Sequence, residues 1–104
     1  MAQFDVYRNP NPATVAAVPY LLDVQSDLLS ESRTRVVVPL APLESVGRPA
    51  ARLNPVFRVE DTEVLMMTQH LAAVPRAALH NPVMSLTGEH DRIVAALDFL
   101  VLGF

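Results

Sequence analysis

The chain has no cysteine, no lysine and only three glycines in 104 residues, and no apolar run approaches the length of a bilayer. Without cysteine, disulfides, thiolate zinc sites and cysteine nucleophiles are excluded together. All eight basic residues are arginine, a bias that reads as genome codon composition. A formal net charge of −3 excludes the extended array of cations that neutralises duplex phosphates, so no direct nucleic-acid partner is expected. Arg33 and Arg35 read as a solvated strand edge and not as a local basic strip. The glycines stand singly at 47, 88 and 103, which leaves no glycine-rich phosphate loop. A membrane-crossing helix needs about 20 apolar residues, and no basic stretch followed by an apolar run opens the chain. No membrane partner is expected, and the cytoplasm is the default compartment.

What the chain does have is apolar surface. Some 51% of residues are hydrophobic and only 18% are charged. A chain this long builds one domain, residues 1–104, around one core, and leaves much of its surface in water. One small core does not hide so many apolar side chains, so the excess is assigned to a subunit or partner interface.

Strand signals fill the first three quarters. Gln3 to Tyr7 alternates, with Phe4 and Val6 on one face and Asp5 and Tyr7 on the other, until Asn9-Pro10-Asn11-Pro12 stops it. Tyr20 to Gln25 and Arg35 to Leu40 follow as an antiparallel pair across Ser30-Glu31-Ser32. Residues 41–55 carry Pro42, Gly47, Pro49 and Pro55 and read as a long connection with room for a helical turn. Val56 to Glu60 and Glu63 to Thr68 form a hairpin over Asp61-Thr62. Val74 to Leu79 reads as a further strand, confined by Pro75 to an edge or a strand start. The last segment is helical: Thr87 is the expected N-cap, and Glu89 and Asp91 supply negative charge to the first turn. Ile93, Ala96, Leu97, Leu100, Val101 and Phe104 recur as one apolar stripe, while Leu102 falls almost opposite its centre.

No set of residues points to catalysis. His70, His80 and His90 are spaced by ten, which fits no compact ligand motif, so no metal and no cofactor is expected. Ser26, Asp27 and His70 lack the glycine-framed elbow of a nucleophile, and Gln25-Ser26-Asp27 reads as a strand end and turn. The paired acids Glu60 and Asp61, or Asp23 and Asp27, read as exposed turn residues rather than acid–base pairs. Met66 and Met67 read as one inward and one outward residue of a strand, and one of the two suits a dimer seam.

Three segments in fixed order carry more information: Leu22-Asp23-Val24-Gln25-Ser26-Asp27-Leu28-Leu29, Val36-Val37-Val38-Pro39-Leu40 and Met66-Met67-Thr68. With Gln3-Phe4-Asp5-Val6-Tyr7 before them and a helix ending at Leu102-Gly103-Phe104 after them, they resemble the CcdB family of bacterial toxins. The resemblance spans nearly the whole chain, with one insertion near Asn9 to Val18. It implies a mainly β, α+β fold: an SH3-like barrel of antiparallel strands with one C-terminal α-helix. It also implies a homodimer that is not an enzyme and that poisons DNA gyrase, trapping the cleaved gyrase–DNA complex by binding the gyrase A subunit. A cognate antitoxin, whose disordered C-terminal arm folds onto the toxin, would neutralise it; the residues it touches are left unassigned.

Carried over by position, the gyrase-contacting residues are Leu28, Leu29, Asp98, Val101, Leu102, Gly103 and Phe104. Gly103 matches the family, and Leu28 and Leu29 replace isoleucines. Elsewhere the tail departs: Leu102 stands for the usual tryptophan, Val101 for a phenylalanine, Asp98 for an asparagine and Phe104 for an isoleucine. Leucine offers no π face to an arginine on the target. The alternative is therefore a divergent relative that keeps dimer and antitoxin but has lost or altered its target. Ribonuclease toxins of the same barrel class need cations poised at phosphates, and this acidic chain shows no such set.

Overall fold

Proline and asparagine interrupt the alternation, and between the breaks lie the strands β1 (Asp5–Arg8), β2 (Tyr20–Asp23), β3 (Thr34–Pro42), β4 (Val56–Val59), β5 (Thr62–Met66), β6 (Ala72–Pro75) and β7 (Met84–Ser85). Helix α1 (Leu43–Val46) occupies the long connection, and α2 (His90–Leu102) closes the fold. This is a computed structural model, and it describes residues 2–103. Every strand pairing is antiparallel, and the ladder runs β4-β5-β3-β2-β1-β7 with β6 added to β3. Mostly antiparallel strands thus form a nearly closed barrel with one C-terminal helix, the SH3-like plan. No helix among the described residues is long and apolar enough to cross a membrane.

The nine-residue strand β3 makes the closure possible. Along one edge it pairs with β6 through residues 34–37 and then with β5 through residues 40–42. Pro39 falls where one partner gives way to the next, so its missing N–H breaks no ladder there. Its carbonyl still accepts the Met67 N–H at 2.9 Å.

The expected single core is two clusters, one on each face of the sheet. Phe4, Val6, Leu22, Val38, Leu40, Val59, Val64 and Met66 belong to the larger, which α2 covers with Ile93 and Ala96. Tyr7, Leu21, Val37 and Leu79 form the smaller, with Val18 and Val74 against it. The alternation anticipated for β1 holds, but Tyr7 points into apolar surroundings and not into water. Burial pushes the Tyr7 hydroxyl above its ordinary value, and the negative charges of Asp5 and Asp23 add to this.

Several boundaries move, each for a local reason. β1 begins at Asp5, because Phe4 adopts φ +72°, a region that bulky residues rarely enter. Phe4 is held there by its N–H on Asp23 O at 2.6 Å and by its carbonyl, which accepts from Leu86 N–H at 2.8 Å. The hairpin turn is Glu60-Asp61, one residue earlier than expected, since Val59 pairs with Thr62. Both turn residues have positive φ, +49° and +65°, as a primed two-residue loop requires. The expected strand over 74–79 lies instead at Ala72–Pro75, where proline ends an edge strand and a 3-10 turn, Arg76–Ala78, follows. Short β7 has no sequence signal of its own; Met84 and Ser85 are recruited by pairing with Val6 and Asp5.

Candidate functional site

Two exposed apolar patches stand out against this framework. One is the 3-10 turn Asp27–Leu29. Ser26 caps it by accepting the Leu28 N–H at 3.1 Å, and Asp27 Oδ1 accepts the Gln3 N–H at 2.7 Å. Leu28 is then 94% exposed and Leu29 55%. The hydroxyl and carboxylate that a triad with His70 would need are engaged in building this turn, and His70 lies on the separate 3-10 turn Thr68–His70.

The second patch is the end of α2. Thr87 does not cap the helix: it begins a 3-10 turn ahead of it, its N–H is accepted by Ser85 Oγ at 3.2 Å, and Glu89 stands at the N-cap of α2 without a side-chain cap bond. Arg92 pins the first half of the helix: it pairs with Glu89 at 3.0 Å, donates to Val56 O at 2.8 Å and lies 4.8 Å over the Phe57 ring. Farther along, Arg52 covers Phe99 at 5.3 Å. Ile93 and Ala96 are fully buried, and Val94 and Leu97 pack against the same cluster.

The expected stripe fails at Val101, which is 76% exposed. At about 100° per residue it lies roughly 80° from Ile93 and roughly 140° from Ala96, outside the face that these two bury, whereas Leu100, between them in angle, stays half-buried. Leu102 is 59% exposed, and Asp98 and Gly103 are also exposed. Gly103 adopts the left-handed conformation and its N–H closes the helix on Phe99 O at 2.9 Å. Phe104 lies outside the described residues.

The two patches are anchored differently. The tail belongs to the helix packed on the larger cluster, whereas the turn at 27–29 is tied to the face of Leu21 and Val37. Here lies the largest departure from the sequence reading: Arg35, expected in solvent, is wholly buried and so is Asp23. Their side chains form a two-bond pair, Nε to Oδ2 at 2.9 Å and Nη2 to Oδ1 at 3.0 Å. Asp23 pairs with Val37 across β2 and β3, so Arg35 sits diagonally opposite on the same face. With Asp23 and Asp27 each bonded elsewhere, they make no acid–base couple.

The remaining candidates separate as well. Glu60 accepts from the Tyr20 hydroxyl at 2.7 Å and from Arg8 at 2.8 Å. Burial raises the Tyr20 hydroxyl above its ordinary value, and the hydrogen bond and charge of Glu60 act in the same direction. Met66 is fully buried, and Met67 is half-buried at the start of the 3-10 turn that follows. No group of three or more histidines and acids that could hold a metal is found among the described residues. What the exposed surface offers is apolar contact: among the described residues, Leu28, Leu29, Val101 and Leu102 are four of six exposed large hydrophobic side chains, with Val15 and Leu71 the others. A family model described as CcdB protein matches residues 3–103, nearly the full chain.

Proposed function

The chain belongs to the CcdB family, and from that premise we propose that it is the toxin of a type II toxin–antitoxin pair that binds the gyrase A subunit, trapping DNA gyrase in its cleaved complex with DNA. The supporting observation is where the exposed apolar side chains lie. The family resemblance assigns target contact to Leu28, Leu29, Val101 and Leu102, and all four stand in solvent. Exposed leucines and valines gathered at two sites favour contact with another protein, while scattered ones would carry no such meaning. The proposed protein acts by occupying a surface and not by bond chemistry, as a homodimer, with a disordered antitoxin arm as its neutraliser.

The tail residues also favour a second reading. Asp98 and Leu102 are exposed where the family carries an amide and a tryptophan, so the surface presents a new charge and lacks an aromatic face. Loss of an exposed arginine–aromatic contact removes about 0.5–1 kcal/mol of binding. In this reading the fold, dimer and antitoxin are kept and the target is changed.

Purified protein mixed with gyrase, DNA and ATP distinguishes the two. Accumulation of cleaved DNA that disappears on deleting Leu102 to Phe104 is the expected result. No effect at high micromolar protein rejects gyrase poisoning.

A further inference from the structure

The turn carrying Leu28 and Leu29 has no buried residue of its own, yet it is held from three directions. From inside, the Leu29 carbonyl accepts from Arg35 Nη1 and from Gln25 Nε2, each at 3.4 Å. From the N-terminal side, the Gln3 N–H reaches Asp27. From outside, the exposed Arg76 donates through Nη1 to Ser30 O. Gln25 is fully used: its Oε1 accepts the Val36 N–H at 2.9 Å and its Nε2 also donates to Thr34 O at 3.2 Å. Arg35 adds a bond to Gln25 O at 3.1 Å, and Asp23 Oδ1 accepts the Gln25 N–H at 3.0 Å.

Stability alone does not account for this arrangement. A wholly buried ion pair is expensive to desolvate, and apolar residues of similar volume in its place commonly give an equally stable protein. The surrounding Tyr7, Leu21 and Val37 would suit such residues. What apolar side chains cannot supply is direction, because only donors of fixed geometry orient the Leu29 carbonyl and with it the turn. An exposed leucine already fixed in place loses less freedom when a partner covers it, which raises affinity without adding a contact.

We propose that Asp23, Arg35, Gln25 and Arg76 are positioning residues that set the Leu28–Leu29 turn in the geometry its protein partner meets. This rests on the reading that the turn belongs to the gyrase-contacting surface. Arg76 acts from the surface, and the buried trio acts through the Leu29 carbonyl.

Arg76→Ala is the direct test, since it empties one hold without opening the core. The Leu29, Ser30 and Ser32 amides, which bond within the turn, should exchange about five- to tenfold faster, the factor that one lost hydrogen bond corresponds to. The thermal midpoint should fall by no more than the several degrees that one lost hydrogen bond implies for a domain of this size. Affinity for the gyrase A subunit should fall by a similar factor and recover in Arg76→Lys. In a Leu28→Ala background, Arg76→Ala should add no further loss, because residues acting through one another are not additive. The double variant Asp23→Leu with Arg35→Met leaves no lone buried charge and should speed the same amides. Unchanged exchange in both variants, or losses from Leu28→Ala and Arg76→Ala that simply add, overturns the proposal. A wild-type protein that binds no gyrase refutes the proposed function instead, and the exchange result then decides the inference alone.

Discussion

The apolar side chains in the first half of α2 and those at its C-terminal end have opposite fates. Ile93 and Ala96 are sealed against the barrel, whereas Val101 and Leu102 are 76% and 59% exposed. Helical spacing reports which side of a helix faces inward; it does not report where the covered surface ends. The helix spans 13 residues, close to 20 Å at about 1.5 Å per residue, and in its last turn Phe99 and Leu100 stay half-buried while Val101 and Leu102 face solvent. One segment therefore holds the fold together at its start and presents an apolar surface at its end.

If the two ends differ as described, substitutions should separate stability from binding. Ala96→Asp is the severest case: it places an unpaired carboxylate where exposure is zero and should cost more than about 3 kcal/mol, read as a lowered urea midpoint or insoluble protein. A variant as stable as wild type would contradict the buried assignment. Leu102→Ala should do the reverse. Its partial burial limits the stability loss to about 1 kcal/mol, while gyrase binding should weaken by about 2 kcal/mol if this is a central contact. Calorimetric melting and titration against the gyrase A subunit together measure both; equal losses in the two would erase the contrast.

The smallest effect concerns one tyrosine in each of the two clusters. Tyr7 and Tyr20 both have hydroxyls raised above the ordinary value of 10.0. The unfolded chain therefore ionises first as pH climbs past that value, and stability intact below it should decline as pH rises toward the folded-state values. Urea midpoints at about pH 9 and about pH 11 should fall between the two, and Tyr20→Phe should flatten part of the decline.

Much of the barrel was legible from the residues. Alternation in Phe4 to Tyr7 and the valines of β3 report pleated, packed strands, and the prolines at 10, 12, 49 and 55 mark real interruptions. Burial of Arg35 was not legible, because a charge is assigned to solvent unless its partner is known, and Asp23 lies twelve residues away across a turn. The two-sided core was hidden for a related reason: Tyr7, Leu21 and Val37 each sit beside more apolar neighbours, so a second buried face resembles ordinary strand composition. At the candidate site, the off-stripe placement of Leu102 gave a correct signal of exposure. Val101 gave a false one, since it stands at the margin of the stripe, off the face that Ile93 and Ala96 bury.

Glu60 carries a further consequence. It stands at φ +49° in the hairpin tip, a posture that glycine would adopt with less strain, yet its carboxylate fastens to Tyr20 and Arg8 at the far side of the ladder. Glycine there would relax the bend and unlatch the seam along which the sheet meets itself. This fastening across the barrel is thus incompatible with its most comfortable turn, and the molecule retains a locally disfavoured residue as its clasp.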